Sequence, residues 1–385
     1  MPRLSRRSLL LAGCAATLVS LAPGARAQQV ATGAKLIVII LRGAMDGLAA
    51  LPKIDDPDIR ALRQLLVDPQ AIALDNGFAL HSAMPKLAEM YRAKQAAFIP
   101  AIAGPYRERS HFEAQDLLES GAIKAATHDG WLNRALQRAP GAYSAVSIGP
   151  AQPLILRGAS QETASWSPPV LAEASEDTLR RLLHLYENDA VLKPSLTAAI
   201  GADMVAGDAA GGMGGSVGPA QYVQLLEAAA RFLVQPDGPE IAVVSLEGWD
   251  THIDQNNALN QRFGALDNAI AAARGMLGPA WDKTAIVAVS EFGRTVRVNG
   301  GRGTDHGTGG LAILAGGAIK GGRILGDWPG LGSSALYENR DLMPTTDARS
   351  VFKGLLRDHL GWAANDLDAT VFPDSAGAKV IAGLV

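Results

Sequence analysis

The chain has 385 residues, of which 48% are hydrophobic, 19% charged and 5% aromatic, and its formal net charge is −3. This length is sufficient for a large buried core, and the nearly balanced charge argues against a nucleic-acid-binding surface. Cys14 is the single cysteine, which excludes an internal disulfide.

The first 27 residues are predicted to be an export signal. The paired arginines Arg6 and Arg7 precede an apolar stretch over residues 9–21, and residues 25–27 have the small-x-small pattern of a cleavage site. This pattern is typical of a twin-arginine signal, so we expect the protein to be periplasmic or secreted.

Cys14 offers an alternative to cleavage after Ala27. Residues 11–14 read Leu-Ala-Gly-Cys, which fits a lipoprotein box in which Cys14 would carry the lipid anchor. Removal of residues 1–27 would take away four arginines and no acid, and would change the formal net charge from −3 to −7.

Short apolar runs bounded by turn residues predict six buried strands, with helical patterns between them. The strands are predicted at residues 35–41, 97–103, 145–149, 241–246, 284–290 and 311–315. The helices are predicted at residues 58–67, 84–94, 112–120, 131–138, 176–187, 220–233, 258–277 and 347–360. This alternation predicts an α/β fold with a mostly parallel sheet sandwiched by helices.

One segment differs from this alternation. Residues 201–218 contain seven glycines and almost no bulky side chain, which predicts a flexible loop in a single domain spanning residues 28–385. The loop could link two halves of that domain or cover a catalytic site. No stretch after the signal approaches the roughly 20 apolar residues of a membrane span.

Carboxylates and imidazoles follow several of the predicted strands, where parallel strands collect their ligands. Asp46 follows the first strand, although it could simply cap the next turn. Asp250 and His252 follow the strand at residues 241–246, and in extended backbone two residues that are two apart face the same side. These residue types are metal ligands in zinc proteins.

A second cluster follows the strand at residues 284–290. Glu291 and Arg294 come first and could form a plain surface pair. A glycine-rich run then leads into Asp305 and His306, and such glycines allow the backbone to approach a bound ion closely. We expect Asp305 and His306 to be ligands.

Ser110 is the candidate nucleophile. Ser110 and Glu113 have the spacing of a capping box, which predicts Ser110 as a helix N-cap. A helix N-terminus also favours a phosphate or sulfate oxyanion, Arg109 could clamp that anion, and His111 could act as an acid or base.

These motifs resemble the DUF1501 family of exported bacterial proteins. That family is similar to a remote branch of the alkaline phosphatase superfamily, which includes sulfatases. The resemblance rests on residues 41–48, 109–115, 130–134, 248–252, 290–295 and 303–307.

The resemblance implies an alkaline-phosphatase-like core with a metal-binding Asp after the first strand, matched by Asp46, and a helix N-terminal nucleophile, matched by Ser110. It also implies later ligands, matched by Asp250 and His252. Two details differ: superfamily members usually space that Asp and His four apart, and Glu291-Phe292 stands where they have an Asp-His pair.

The sequence thus predicts an exported metal-dependent hydrolase that acts on a small phosphate or sulfate ester, with no nucleic acid as partner. The expected cofactor is a divalent metal, with zinc preferred over manganese or calcium. Two alternatives remain: a non-catalytic exported binding or accessory protein that retains the fold, and a lyase or transferase that uses the same metals. The predicted metal ligands are Asp46, Asp250, His252, Glu291, Asp305 and His306, and the predicted catalytic residues are Ser110, His111, Arg109 and Arg294.

Overall fold

A computed structural model describes residues 33–385 with the exception of 125–126, 140–142, 161, 168–181, 183–184, 187–188, 190–191 and 207–217. The predicted export signal with Cys14, most of the predicted helix 176–187 and most of the glycine-rich segment therefore lie outside the described residues. Within them, no helix is both long enough and apolar enough to cross a membrane.

The strands alternate with helices along the chain, as the sequence predicts. The strands are β1 Lys35–Leu41, β2 Ile72–Ala73, β3 Ala79–Leu80, β4 Ala96–Ala103, β5 Ala145–Ile148, β6 Thr163–Trp166, β7 Ile241–Leu246, β8 Thr284–Val289, β9 Gly310–Ala315, β10 Arg323–Ile324 and β11 Thr346–Asp347. The helices are α1 Gly47–Ala50, α2 Ile59–Arg63, α3 Pro85–Arg92, α4 His111–Ser120, α5 Trp131–Gln137, α6 Leu192–Ala206, α7 Tyr222–Leu233, α8 Gln255–Leu277, α9 Ala348–Asp358 and α10 Ala364–Asp366.

Nine strands form one sheet in the order β10-β4-β9-β8-β1-β7-β5-β6, with β11 paired to β4, while β2 and β3 form a separate hairpin. β9 runs antiparallel to β4 and β8, and every other pairing in the large sheet is parallel. The predicted fold class, a mostly parallel sheet covered by helices, is confirmed.

β1 lies at the centre of the sheet, and its side chains are buried on both faces. Ile37 and Ile39 pack with α7 and α8 on one face, and Leu36 and Val38 pack with α5 and α9 on the other. Full burial of each such side chain contributes about 1.5–3 kcal/mol. This burial explains why β1 is a continuous apolar run and not an alternating one.

The parallel strands β1, β4, β7 and β8 all end at the same edge of the sheet. Because β9 is antiparallel, the segment before it also arrives at this edge. The polar segments after β1, β7 and β8, the start of α4 and the segment before β9 are therefore gathered there, although residues in contact, such as Gly43 and Glu291, can be 248 positions apart in the chain.

Several boundaries differ from the sequence-based expectation. α6 continues to Ala206, so the first residues of the predicted glycine-rich loop are helical. α2 ends at Arg63, well before residue 67. The short strands β2, β3, β6, β10 and β11 were not predicted, because two to four residues carry too little periodicity to be recognised.

Candidate metal centre

Three side chains meet at the carboxyl edge of the sheet. The Nε2 atoms of His111 and His306 are 3.0 Å apart. Asp250 completes the group, with Oδ1 3.2 Å from His306 Nε2 and Oδ2 3.5 Å from His111 Nε2. Among the described residues, these three form the one group whose potential ligand atoms all lie within 4.8 Å of one another.

His252 adds a fourth potential ligand atom at the edge of this group. Its Nε2 lies 3.0 Å from His306 Nε2 and 2.9 Å from Asp250 Oδ1. The side chain is 38% exposed, so His252 lies on the solvent side of the cluster.

The second ring nitrogen of each histidine contacts an oxygen that can only accept a hydrogen bond. His111 Nδ1 is 2.7 Å from Glu291 Oε1, His306 Nδ1 is 3.1 Å from the carbonyl oxygen of Arg109, and His252 Nδ1 is 3.3 Å from Asp305 Oδ1. Hydrogen bonds of this kind fix the tautomer of metal-binding histidines, since they place the proton on Nδ1.

This arrangement directs three Nε2 lone pairs toward one another and toward a carboxylate. Two Nε2 atoms 3.0 Å apart need either a proton or a metal cation between them. Around a tetrahedral zinc ion with Zn–N distances of 2.0–2.1 Å, neighbouring ligand atoms are about 3.3 Å apart. The measured separations fall close to this value, and imidazole with carboxylate is a donor set suited to zinc and its first-row neighbours.

Arg294 holds Asp250 in place. Its Nη1 donates to Asp250 Oδ1 at 2.5 Å, and its Nε donates to Thr304 Oγ1 at 3.1 Å. Burial alone would raise the pKa of Asp250, but the hydrogen bond and charge of Arg294 lower it below its usual value. Asp250 is therefore ionised at neutral pH, as a metal ligand must be.

Glu291 is fully buried after β8 and supports His111. Its Oε1 also accepts from the Gly43 amide and from Gln115 Nε2, each at 2.9 Å. Burial would raise the pKa of Glu291, but the hydrogen bonds from His111 and Gln115 lower it. In turn, the hydrogen bond to Glu291 raises the pKa of His111.

Asp46 is buried and lies outside the three-residue group. Its Oδ1 accepts from the Ala49 amide at 3.1 Å, so it caps α1. Its Oδ2 is bonded to a guanidinium nitrogen of Arg63 and accepts from Gln255 Nε2 at 2.5 Å. The structure thus shows the capping role of Asp46, while its role as a ligand stays a prediction.

Asp46 is connected to Asp250 through a chain of buried hydrogen bonds. Gln255 Oε1 accepts from Thr304 Oγ1 at 2.6 Å, and Thr304 Oγ1 in turn accepts from Arg294 Nε. Arg294 then reaches Asp250. These polar side chains lie beneath the metal-ligand cluster and fix its position.

The guanidinium group of Arg109 is paired with two carboxylates of the protein, whereas an anion clamp would direct it toward the substrate. Its Nε donates to Asp341 Oδ2 at 2.8 Å, and its Nη2 is paired with Glu338. Its backbone has a φ of 62°, in the left-handed region, and its carbonyl oxygen is the acceptor for His306. Arg109 therefore contributes to the site through its backbone.

Ser110 begins α4 directly before His111. The predicted capping box is wrong: the Ser110 side chain makes no hydrogen bond to the helix amides, and Glu113 accepts instead from the Tyr106 hydroxyl at 2.6 Å. The capping box fails because Tyr106 also accepts from the Ser110 amide, at 3.3 Å, and so takes the place of Glu113 there.

The sequence-predicted residues are thus partly gathered. Asp250 and His306 lie together with His252 beside them, and His111, predicted as an acid or base, completes the group that could hold a metal ion. Glu291 and Asp305 contact the outer ring nitrogens. Several supporting side chains were not predicted, because nothing in their local sequence distinguishes them: Arg63, Thr304, Gln115, Asn299 and Asp341.

Solved structures with similar chain traces are distant in sequence. The C-terminal periplasmic domain of EptC from Escherichia coli, in complex with zinc, is 11% identical over 92% of this chain and 88% of that chain, with a TM-score of 0.38. The phosphonate monoester hydrolase of Agrobacterium radiobacter is 13% identical over 86% and 74%, with a TM-score of 0.39. Alkaline phosphatase from the Antarctic bacterium TAB5 is 10% identical over 75% and 94%, with a TM-score of 0.37.

No curated protein matches the chain. The model of one family, described as "Protein of unknown function (DUF1501)", matches residues 103–371, which is more than half of the chain and includes all the histidines of the cluster. The family expected from the sequence motifs is confirmed, and the chain belongs to the DUF1501 family.

Proposed function

We propose that the protein is an exported hydrolase of phosphate or sulfate esters that depends on a divalent metal held by His111, Asp250 and His306, with His252 as a further ligand. One observation carries this proposal: the Nε2 atoms of three histidines converge on one carboxylate while each Nδ1 is bonded to an acceptor. Zinc is the preferred ion for this donor set.

In this proposal an anionic ester would lie beside Ser110, which directly precedes His111 in the chain. When bound, a divalent metal supplies Lewis acidity and positive charge for the ester oxygens. The Ser110 oxygen would form the new bond to phosphorus or sulfur while the bond to the alcohol oxygen breaks, and the hydroxyl proton would pass through water to the departing alcohol oxygen. Water would later release phosphate or sulfate from Ser110. The Ser110 side chain makes no hydrogen bond to the amides of α4, and it contacts the Tyr106 hydroxyl.

The localisation is part of the proposal. The twin-arginine pattern at Arg6 and Arg7 would send a folded protein across the membrane, so the metal could be loaded before export. Cleavage after Ala27 would release a soluble periplasmic protein, whereas modification of Cys14 would anchor it.

Hydrolysis of p-nitrophenyl phosphate and p-nitrophenyl sulfate by the zinc-loaded protein tests this function. We expect turnover by wild type and its loss in Ser110→Ala, with the zinc content unchanged because Ser110 is not a ligand. The matched control is Ser144→Ala, at the opposite edge of the sheet before β5. Equal turnover by wild type and Ser110→Ala would remove Ser110 from the mechanism.

A second candidate is a non-catalytic metal-binding protein of the same fold. The observation that favours it is the state of the two arginines at the site: Arg109 is paired with Asp341 and Glu338, and Arg294 with Asp250, so both guanidinium groups are committed to acids. Stoichiometric zinc binding without turnover of either ester would favour this role.

A further inference from the structure

We infer that the site takes one metal ion and not two, because the guanidinium group of Arg63 occupies the place of a second cation beside Asp46. This inference rests on the proposed metal-dependent function. It concerns Asp46, the residue that the resemblance assigns to metal binding.

The carboxylate of Asp46 is already committed to protein donors. Asp46 is 1% exposed and Arg63 is 0% exposed, and the two form an ion pair. Gln255 and the Ala49 amide donate to the same carboxylate. A metal ion would have to replace these donors in a site closed to solvent.

Arg63 is itself fixed and cannot move aside. Its Nη1 donates to the carbonyl oxygens of Thr295 and Val296, at 2.8 and 3.1 Å. These residues directly follow Arg294, so α2 is held against the segment that supports the metal ligands. A divalent ion on Asp46 would lie beside this buried positive charge, and the repulsion between like charges is strongest where water is excluded.

The buried pair has a different use, which is to position the ligands. Asp46 orients Gln255, and Gln255 orients Thr304, which accepts from Arg294. Arg294 holds Asp250 in the metal-ligand group. Asp46 is therefore a positioning residue for a single ion bound by His111, Asp250 and His306.

A cobalt titration tests the number of ions directly. Metal-free mature protein is titrated with Co²⁺ while the d–d absorption is recorded, and native mass spectrometry counts Zn²⁺ bound to the same preparation. Asp250→Ala and Asp46→Asn are titrated in parallel, and only equivalents that persist in both variants are assigned to surface binding. We expect one equivalent that depends on Asp250.

The two possible failures are distinguishable. Two equivalents that both depend on Asp250 or Asp46 would overturn the single-ion inference and leave the metal-dependent function standing. The absence of any equivalent that depends on Asp250 would overturn both.

Variants of the buried pair give an independent test. Asp46→Asn should retain the one equivalent of Co²⁺, with a lower affinity because Gln255 loses a charged acceptor. Asp267→Asn is the matched control, since Asp267 is also buried and accepts from backbone amides, in α3. If Asp46→Asn does not fold because Arg63 is left unpaired, the double variant Asp46→Asn, Arg63→Met removes both charges. Loss of Co²⁺ binding in the folded double variant would overturn the inference.

Discussion

Glu291 is a buried carboxylate that contacts the outer ring nitrogen of His111, one of the proposed metal ligands. It accepts from His111 Nδ1 and so leaves Nε2 as the free nitrogen on the side of Asp250 and His306. Acceptors in this position commonly change metal affinity by 10–100-fold. The hydrogen bond also directs His111, which the sequence offered as a possible acid or base, toward Asp250 and His306.

Glu291→Gln should therefore weaken zinc binding by about 10–100-fold, because the neutral amide is a poorer acceptor for His111. Competition with a chromophoric chelator measures the zinc dissociation constant. Glu240→Gln is a suitable control, since Glu240 pairs with Lys35 at the opposite edge of the sheet. Equal zinc affinities for Glu291→Gln and wild type would show that Glu291 does not act through His111.

His359 is a buried histidine remote from the metal ligands. Its Nε2 lies 2.9 Å from the carbonyl oxygen of Lys35, at the start of β1. Burial lowers the pKa of His359 from the model-peptide value of 6.5, so the folded protein holds this imidazole neutral. Below about pH 6.5 the unfolded chain binds a proton at this residue more readily than the folded chain does, so the contribution of His359 to the free energy of unfolding falls as the pH is lowered.

His359→Gln should flatten this pH dependence, because glutamine can donate to the same carbonyl and does not titrate. Urea unfolding at pH 8, 7, 6 and 5, with a chelator present, measures the free energy of unfolding of both proteins. At pH 7 we expect the variant to have the lower free energy of unfolding. As the pH falls from 7 to 5, the free energy of unfolding of wild type should decrease more than that of the variant, so that the two values approach each other or cross. A difference that is constant across this range would exclude His359 as the cause.

At the scale of elements, the segment before β9 contains glycines at positions where it lies very close to the backbone of the segments that carry His252 and Arg294. A Cβ on Gly303 would lie 2.3 Å from the carbonyl oxygen of His252, and one on Gly307 would lie 2.4 Å from the backbone of Arg294. A Cβ on Gly43 would lie 2.5 Å from the Asp250 amide. The sequence indicated that these glycines allow close approach, and the approach they allow is between backbone segments.

Gly303→Ala should separate the two segments and displace His252 from its position. We expect weaker zinc binding and a loss of roughly 1–3 kcal/mol in the free energy of unfolding, the usual cost of overpacking. Gly300→Ala is a control in the same loop, because a Cβ there would meet nothing within 4 Å. Zinc affinity and chelator-treated stability would be measured for both, and identical behaviour of the two variants would contradict this account of the loop.

The elements differ in how far their sequence specifies them. β1, β7 and β8 are buried on both faces, so their apolar runs identify them without further information. The antiparallel direction of β9 could not be predicted from the sequence, because a run of apolar residues is equally compatible with a parallel and an antiparallel strand. Its direction matters for the site, since it brings the segment with His306 to the ligand edge.

The sequence predicted which types of residue make up the candidate site. It did not predict which of these residues contact one another. Carboxylates and histidines after strands pointed to the edge of the sheet at which His111, Asp250 and His306 lie together. The partner of each side chain depends on contacts between segments far apart in the chain, such as His111 with His306 or Arg63 with Asp46. No local pattern marks Arg63 as buried, so the ion pair that occupies Asp46 could not be foreseen.

At the scale of the whole molecule, the mostly parallel sheet explains why one edge carries the chemistry. Under the twin-arginine hypothesis, the protein would fold before it crosses the membrane. The precursor with Arg6→Lys and Arg7→Lys should therefore remain in the cytoplasm, because the paired arginines are the transport address. Cell fractionation with immunodetection measures the distribution, and normal delivery of this variant would remove the twin-arginine assignment.

N-terminal sequencing of the exported protein decides between the two processing routes. Mature protein that begins at Gln28 would show cleavage after Ala27. Mature protein that begins at a blocked Cys14 would show lipidation, and would be recovered with membranes although no described helix could span one.

The central claim is that His111, Asp250 and His306 bind a divalent metal at the carboxyl edge of the sheet. An anomalous difference map at the zinc edge, from crystals grown with zinc and without chelator, tests it most directly. We predict one strong peak within bonding distance, about 2.0–2.2 Å, of His111 Nε2, His306 Nε2 and an Asp250 oxygen. A map with no peak among these three side chains, or with its strongest peak on other residues, would contradict the claim.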